Sequence, residues 1–266
     1  MSYEVKILAD SQSEHARLTT FELTFPRFIL AEFNTHRMLS RNSASSRAIP
    51  TEILIQQVLN NPFLPEFNER VKGMGVGKPL SLDDQERAEW AWLDSRNAAV
   101  DAAQKLLHVD KSRANRLLEP FLWHKAIVSA TEWENFFALR CHSDTQPEFQ
   151  HIAKMMRDAL GTSTPEFLSP GEWHLPLISS EELGNYPAEE LAKASAGRCA
   201  RVSYDRHNTE DTVENSVARW EQLCKAGHWS PGEHPAAATH SYVWRGNFAA
   251  FCQLRKMYAN ENVFRP

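Results

Sequence analysis

The residues best suited to chemistry begin at Thr35-His36-Arg37 and continue through Arg41, Asn42, Ser43, Ser45 and Arg47. Arginine offers a rigid fork of donors that matches the oxygens of a phosphate, and serine hydroxyls and loop N–H groups can complete an anion's shell. There is no GxGxxG or Walker-type glycine loop, so any nucleotide bound here must be held by side chains. A solvated basic loop has the same composition, and this segment alone does not separate the two readings.

A second run joins Arg113, Asn115, Arg116 and Glu119-Pro120 to Glu134-Asn135, Arg140, Gln146 and Glu148. Asn135 and Arg140 are five positions apart and do not share one helical face, and a cation near a helix C-terminus is favoured by the helix dipole alone. A third run holds Ala200-Arg201-Val202-Ser203-Tyr204-Asp205, then Gly227-His228-Trp229-Ser230-Pro231-Gly232-Glu233-His234. Two histidines and a glutamate so close together invite a metal reading. The helical offsets that such motifs need are broken by Pro231 and Gly232, so no metal site is expected.

The elements that must position these groups read as follows. Residues 1–9 alternate like a short strand, and Leu18–Phe25 form a second, with Leu18, Phe21, Leu23 and Phe25 apolar. Pro26 opens a helix running to about Arg37, and Ser40–Ser46 is a polar loop. A long helix spans 84–107 with Ala88, Ala91, Trp92 and Ala98 on one side. A short helix over Arg113–Leu118 is closed by Pro120. Leu122–Val128 is a strand, and Thr131–Leu139 a helix that buries Trp133, Phe136 and Phe137. Further helices are expected at 147–160, 188–198, 212–226 and 246–258, with irregular chain at 61–82 and 161–187. The fold class is α+β: one helix-rich domain over 1–266 with a small, mostly antiparallel sheet.

Bulk properties narrow the function. A chain of 266 residues, 42% hydrophobic and 24% charged, is neither disordered nor fibrous. No apolar run nears the ~20 residues that span a bilayer, and the N-terminus lacks a signal-peptide layout, so no membrane partner is expected. The four cysteines, Cys141, Cys199, Cys224 and Cys252, are widely separated, which fits a reducing cytoplasm. A net charge of −5 argues against a nucleic-acid partner.

Together the three runs resemble the flavin-dependent thymidylate synthases, the ThyX-like family. The family's Arg-His-Arg, seven residues, Ser, x, Arg signature is similar to Thr35-His36-Arg37, Ser45 and Arg47. Its second block is similar to Arg116, Pro120, Asn135-Phe136, Arg140, Gln146 and Glu148, and its third to Ala200–Asp205 with His228–His234. In the usual family order the third block comes first. Here it comes last, as in a circular permutation, with nucleotide-binding blocks in 1–160 and the displaced flavin block in 190–240. A permutation requires the chain after His234 to lie near the N-terminal strand. The stretch 244–266 has no counterpart in the resemblance.

The resemblance implies FAD as cofactor, methylenetetrahydrofolate and NADPH as co-substrates, and a homotetramer with active sites at subunit interfaces. It implies transfer of a one-carbon unit to C5 of a pyrimidine deoxynucleotide, dUMP to dTMP. On that basis Ser45, Arg47 and Arg116 hold the nucleotide phosphate, Arg140 faces the pyrimidine as the catalytic cation, and Glu32 stands where the family has a glutamine near the nucleotide. His36, Arg37, Asn135, Ser203, His228, Ser230 and Glu233 match flavin-contacting positions. Thr35, Ser43, Ser129 and Thr131 depart from the family's Arg, Glu, Asn and Arg. That leaves dCMP as substrate, a hydroxymethyl product at C5, and a non-catalytic nucleotide binder as alternatives.

Overall fold

The computed structural model describes residues 1–73, 75–202 and 211–263. Two N-terminal strands, β1 (Glu4–Gln12) and β2 (Arg17–Pro26), form a hairpin, and a 3-10 turn at Arg27–Ile29 leads into the one-turn helix α1 (Leu30–Phe33). The short strand β3 (Ser40–Ser43) follows, then α2 (Thr51–Asn60), the long α3 (Leu82–Lys105) and α4 (Lys111–Ala114). Strand β4 (Trp123–Ala130) precedes α5 (Glu134–Arg140) and α6 (Pro147–Thr162). With β5 (Glu166–Phe167), these strands make a five-stranded sheet in the order β3-β4-β2-β1-β5. Its pairings are antiparallel except that of β1 with β5.

Strand β2 is central because both of its faces can be buried. Phe21, Leu23 and Phe25 point to one side and meet Ala126, Val128 and Ala130 of β4. This face is covered by α5 and α6. Phe149, Ile152, Ala153 and Met156 of α6 recur at the three- and four-residue spacing of a helical face and are fully or almost fully buried.

The other face is closed by later chain. After β6 (Trp173–His174) and α7 (Ser180–Asn185) come α8 (Ala188–Cys199) and α9 (Val213–Lys225), which pack against each other. The C-terminal part holds β7 (Ala236–Ala238), the hairpin β8 (Trp244–Arg245) and β9 (Phe248–Ala249), and β10 (Phe251–Gln253). Leu18 of β2 packs with Ala236, Ala238, Phe248 and Phe251, and Ile127 of β4 with Cys199 and Val202. The chain after His234 thus lies beside the N-terminal hairpin, and His15 Nε2 is 3.2 Å from the carbonyl oxygen of His240.

Polar side chains on this second face form one chain of hydrogen bonds, which leaves His234 Nε2 buried without a partner among the described residues. Ser11 Oγ lies 2.8 Å from His174 Nδ1, His174 Nε2 lies 2.7 Å from Thr20 Oγ1, Thr20 Oγ1 lies 2.6 Å from Ser129 Oγ, and Ser129 Oγ lies 2.8 Å from His234 Nδ1. Burial lowers the pKa of both histidines to about 3, so each stays neutral.

Several elements differ from the sequence expectation. Ser40–Ser43 is a strand, because the edge of β4 offers hydrogen bonds that outweigh a polar, loop-like composition. The helix after Pro26 ends at Phe33, four residues short of Arg37. Helix α3 turns Trp92, Ala99, Val100 and Ala103 to the core, while Ala91 and Ala98 are exposed. Pro120 lies inside a 3-10 helix, Asn115–Phe121, rather than ending one. The expected helix at 246–258 is a hairpin, a strand and a 3-10 turn. Gly246 takes φ +72, which a helix does not allow, and Phe248, Ala249 and Phe251 are buried in strand pairings.

Candidate active site

Two groups of the expected site residues come together, at separate places. The first lies where the chain leaves β3. Ser45, Ser46 and Arg47 face Ser112, Arg113 and Arg116 across a cavity of about 560 Å³, with Arg27 and Asp110 completing the wall. The loop is held open by hydrogen bonds behind it: Asn115 Nδ2 donates to the carbonyls of Ser46 (2.5 Å) and Ile49 (3.0 Å), and Lys111 Nζ to that of Ala48 (3.2 Å). Arg27, invisible as a site residue in the sequence, donates Nη1 to His124 Nδ1 at 2.9 Å and pairs through Nη2 with Glu119 at 2.8 Å. Burial, then the Arg27 charge, lowers the His124 pKa to about 3, so this imidazole accepts rather than repels the guanidinium. Four guanidiniums and three serines around one cavity, with Asp110 as its single carboxylate, supply the donors that an anion would need. Arg113 carried a signal in the sequence, since it stands three residues before Arg116 and so on the same helical side.

The second group lies at the ends of α1 and α5. Thr35, His36, Arg37, Glu132, Asn135 and Arg140 line a cleft of about 260 Å³, with Met38, Leu39, Phe136 and Leu139 as its apolar surface. Arg140 Nε donates to His36 Nε2 at 2.7 Å, and its Cζ sits 4.4 Å from the centre of the Phe149 ring. Burial first, then the charges of Arg140 and Arg41, lowers the His36 pKa to about 4. On its far side Arg140 faces a larger cavity, about 970 Å³, that also contains Glu32. Asn135 is the second residue of α5 and not mid-helix, which is what brings it to the same cleft as the helix-ending Arg140.

The third sequence block is only partly joined to these. Residues Ser230–Glu233 form a 3-10 turn against β3, with His228 and Ser230 exposed. Glu233 is engaged by Arg255 Nη1, while Gln253 Nε2 bridges the Glu233 carbonyl and Ser40 Oγ, both at 3.1 Å. Ser203 lies outside the described residues. The C-terminal stretch reaches the cleft as well: Asn247 Nδ2 donates to the Arg37 carbonyl at 3.3 Å, and Tyr242 Oη to Glu132 at 3.4 Å. Two departures from the family pattern fall here. Ser129 is buried against Thr20 and His234, and Thr131 Oγ1 accepts from the Ala249 N–H at 3.1 Å.

Fold and site define a helix-rich α+β protein whose mostly antiparallel sheet carries an arginine- and serine-lined cavity and, apart from it, an arginine–histidine cleft. Residues 5–166 match the family described as thymidylate synthase complementing protein, and the chain belongs to that family. No curated protein matches it in sequence. Among solved structures it is similar to the UMP/dUMP methylase PolB from Streptomyces cacaoi bound with 5-Br UMP, with TM-score 0.50, 17% identity, and coverage of 60% of this chain and 89% of that one. The same methylase bound with 5-Br dUMP gives TM-score 0.50, 17% identity and coverage of 60% and 90%. At this identity the likeness is one of fold. The match ends at residue 166, so the block at 200–234 lies outside it.

Proposed function

We propose that this protein transfers a one-carbon unit to C5 of a pyrimidine deoxynucleotide, dUMP to dTMP, using FAD, methylenetetrahydrofolate and NADPH. The observation that carries the reading is the convergence of Ser45 and Arg47 with Arg116, about seventy residues further along the chain, on one cation-lined cavity; all three match phosphate positions of the family. Membership of the thymidylate synthase complementing protein family supports it, as does the fold shared with a methylase that acts on UMP and dUMP.

Ser45, Arg47 and Arg116 bind the 5′-phosphate, and Arg140 places its charge against the pyrimidine edge. There it stabilises negative charge that develops on the ring when C5 forms its new bond to carbon. Glu32, on the same cavity, holds the nucleotide's polar edge. The cleft of Thr35–Leu39 and Asn135 suits part of a flavin. Arg37, Asn135 and Arg140 offer donors, Phe136 and Leu139 an apolar wall, and the volume admits a ring system but not a whole dinucleotide. A bound flavin supplies the reducing equivalents there.

The anion cavity and the Arg140 cavities have no lining residue in common. The four residues of β3 lie between the segment of His36 and that of Ser45, so the two groups stand at opposite ends of that strand. A second copy of the chain would then unite one copy's phosphate cavity with another's Arg140, as in a homotetramer with interfacial sites. The contact of Leu18 with Ala236 and Ala238 supports a circular permutation, since the displaced block packs against β2.

The buried Ser129 and the Thr131–Ala249 bond favour a second outcome, hydroxymethylation at C5, because the cofactor side of the site is the part rebuilt by C-terminal chain. Mass spectrometry of the nucleotide after incubation with FAD, NADPH, methylenetetrahydrofolate and dUMP or dCMP tests both. Methylated dUMP supports thymidylate synthesis, a hydroxymethyl product supports the second outcome, and no product from either nucleotide leaves a binding protein without catalysis.

A further inference from the structure

Behind the arginines that line the anion cavity lies the carboxylate of Glu119. Glu119 Oε1 pairs with Arg27 Nη2 at 2.8 Å and accepts from Arg116 Nη1 at 2.9 Å and from Ser46 Oγ at 3.0 Å, and Oε2 accepts from Arg116 Nη1 at 3.1 Å. A fixed negative charge opposes anion binding, so its presence at this point asks for a physical reason. Bracing the arginines is not sufficient, since a neutral amide oxygen at the same place would also accept hydrogen bonds from them. What only the carboxylate does is remove one unit of positive charge.

The charge balance is specific. Arg27, Arg47, Arg113 and Arg116 bring four positive charges to the cavity, and Asp110 and Glu119 bring two negative ones, leaving two positive. A phosphate monoester carries about −1.5 to −2 at neutral pH, so it is neutralised without surplus. A second phosphoryl group adds negative charge that no remaining cation of the cavity offsets, and it is opposed by Asp110 in the wall and by the charge of Glu119 behind it. We propose that Glu119 sets the charge of this site and thereby selects a phosphate monoester over a diphosphate. This rests on the reading of the cavity as the phosphate site, and it makes Glu119 a specificity-determining residue that touches the ligand's arginines.

Calorimetric titration with inorganic phosphate and with pyrophosphate tests the proposal apart from any pyrimidine. The wild type should bind phosphate at least as well as pyrophosphate. Glu119→Gln, which keeps shape and acceptor, should raise pyrophosphate affinity about fivefold relative to phosphate, whereas Glu119→Asp should keep the wild-type ratio. Arg113→Gln, at an exposed position and so independent of any folding defect at Glu119, should move the ratio the opposite way. An unchanged ratio in Glu119→Gln or Arg113→Gln, or equal weakening of both anions in Glu119→Gln as for a simple brace, would overturn it. Selective phosphate binding by a protein that binds neither dUMP nor dCMP would leave this proposal standing and remove the proposed function.

Discussion

The guanidinium of Arg140 donates from Nε to Nε2 of His36 at 2.7 Å, across 104 residues of sequence. The donor keeps its hydrogen at every accessible pH, so His36 must be an acceptor at Nε2, neutral and protonated at Nδ1. Burial and the two nearby arginines lower its pKa to about 4 and enforce that state. The Phe149 ring holds Arg140 from another side without neutralising it. Arg140 is therefore positioned by groups that leave its full charge for the cleft.

Arg140→Ala should lower turnover by roughly 10²–10³-fold if that charge stabilises the reacting ring. Thermal unfolding and phosphate binding should stay near wild type, since the side chain lines neither the core nor the anion cavity. Near-normal turnover would refute the catalytic role.

Arg47→Ala should act on binding. Loss of a charge-assisted phosphate contact costs about 1.5–3 kcal/mol, so the nucleotide Kd should rise by roughly ten- to a hundredfold, with little change in turnover at saturation. Titration calorimetry with dUMP decides it, and an unchanged Kd removes Arg47 from the site.

If two copies of the chain complete each site, Arg47→Ala and Arg140→Ala proteins, each nearly inactive at low substrate, should regain activity when unfolded together and refolded as a mixture. Mixed assemblies then contain some sites with neither substitution. A mixture no more active than its two components means that each chain carries a whole site.

Acid should destabilise the fold before the carboxylates titrate. His36 is held at about 4, and His124, His174 and His234 at about 3, against 6.5 when unfolded. The unfolded chain then binds more protons than the native one between these values, so stability rises with pH through that window and is lost as pH falls from about 6.5 towards 3–4. Near pH 5, unfolding should take up about four protons, read from the pH dependence of the urea midpoint. A midpoint that is flat between pH 6.5 and 4.5 would contradict the buried neutral histidines.

Gly197 of α8 has no room for a methyl group: a Cβ there would lie 2.0 Å from the Ser216 carbonyl oxygen on α9. Gly197→Ala should lower stability by about 1–3 kcal/mol by forcing α8 and α9 apart, in spite of alanine's better helix propensity. A higher Tm would show that the two helices do not pack this closely.

Much of the architecture could be read directly. Strand β2 announces itself by alternation at Phe21, Leu23 and Phe25, and α6 by the spacing of Phe149, Ile152, Ala153 and Met156, because a pleated strand and a helix impose periods that local sequence must follow. The members of the serine–arginine cavity were legible too, since Ser45, Arg47 and Arg116 stand in spaced motifs. Glu119 and Arg27 were not. Each is an ordinary charged residue until the fold sets Arg27 in the cavity wall and Glu119 behind it.

What the sequence determined by itself was the identity of the chemical groups, the class of fold, most of the helices and the three longest strands, β1, β2 and β4, all properties carried by residue type and short-range period. Tertiary structure alone decided that Ser40–Ser43 pairs as an edge strand and that residues after Gly246 form a hairpin instead of a helix. It alone set the serine–arginine cavity and the Arg140 cleft apart within one chain. Those outcomes depend on hydrogen bonds and burial offered by segments more than two hundred residues distant, such as Gln253 reaching Ser40, and no local pattern encodes the arrival of a distant partner.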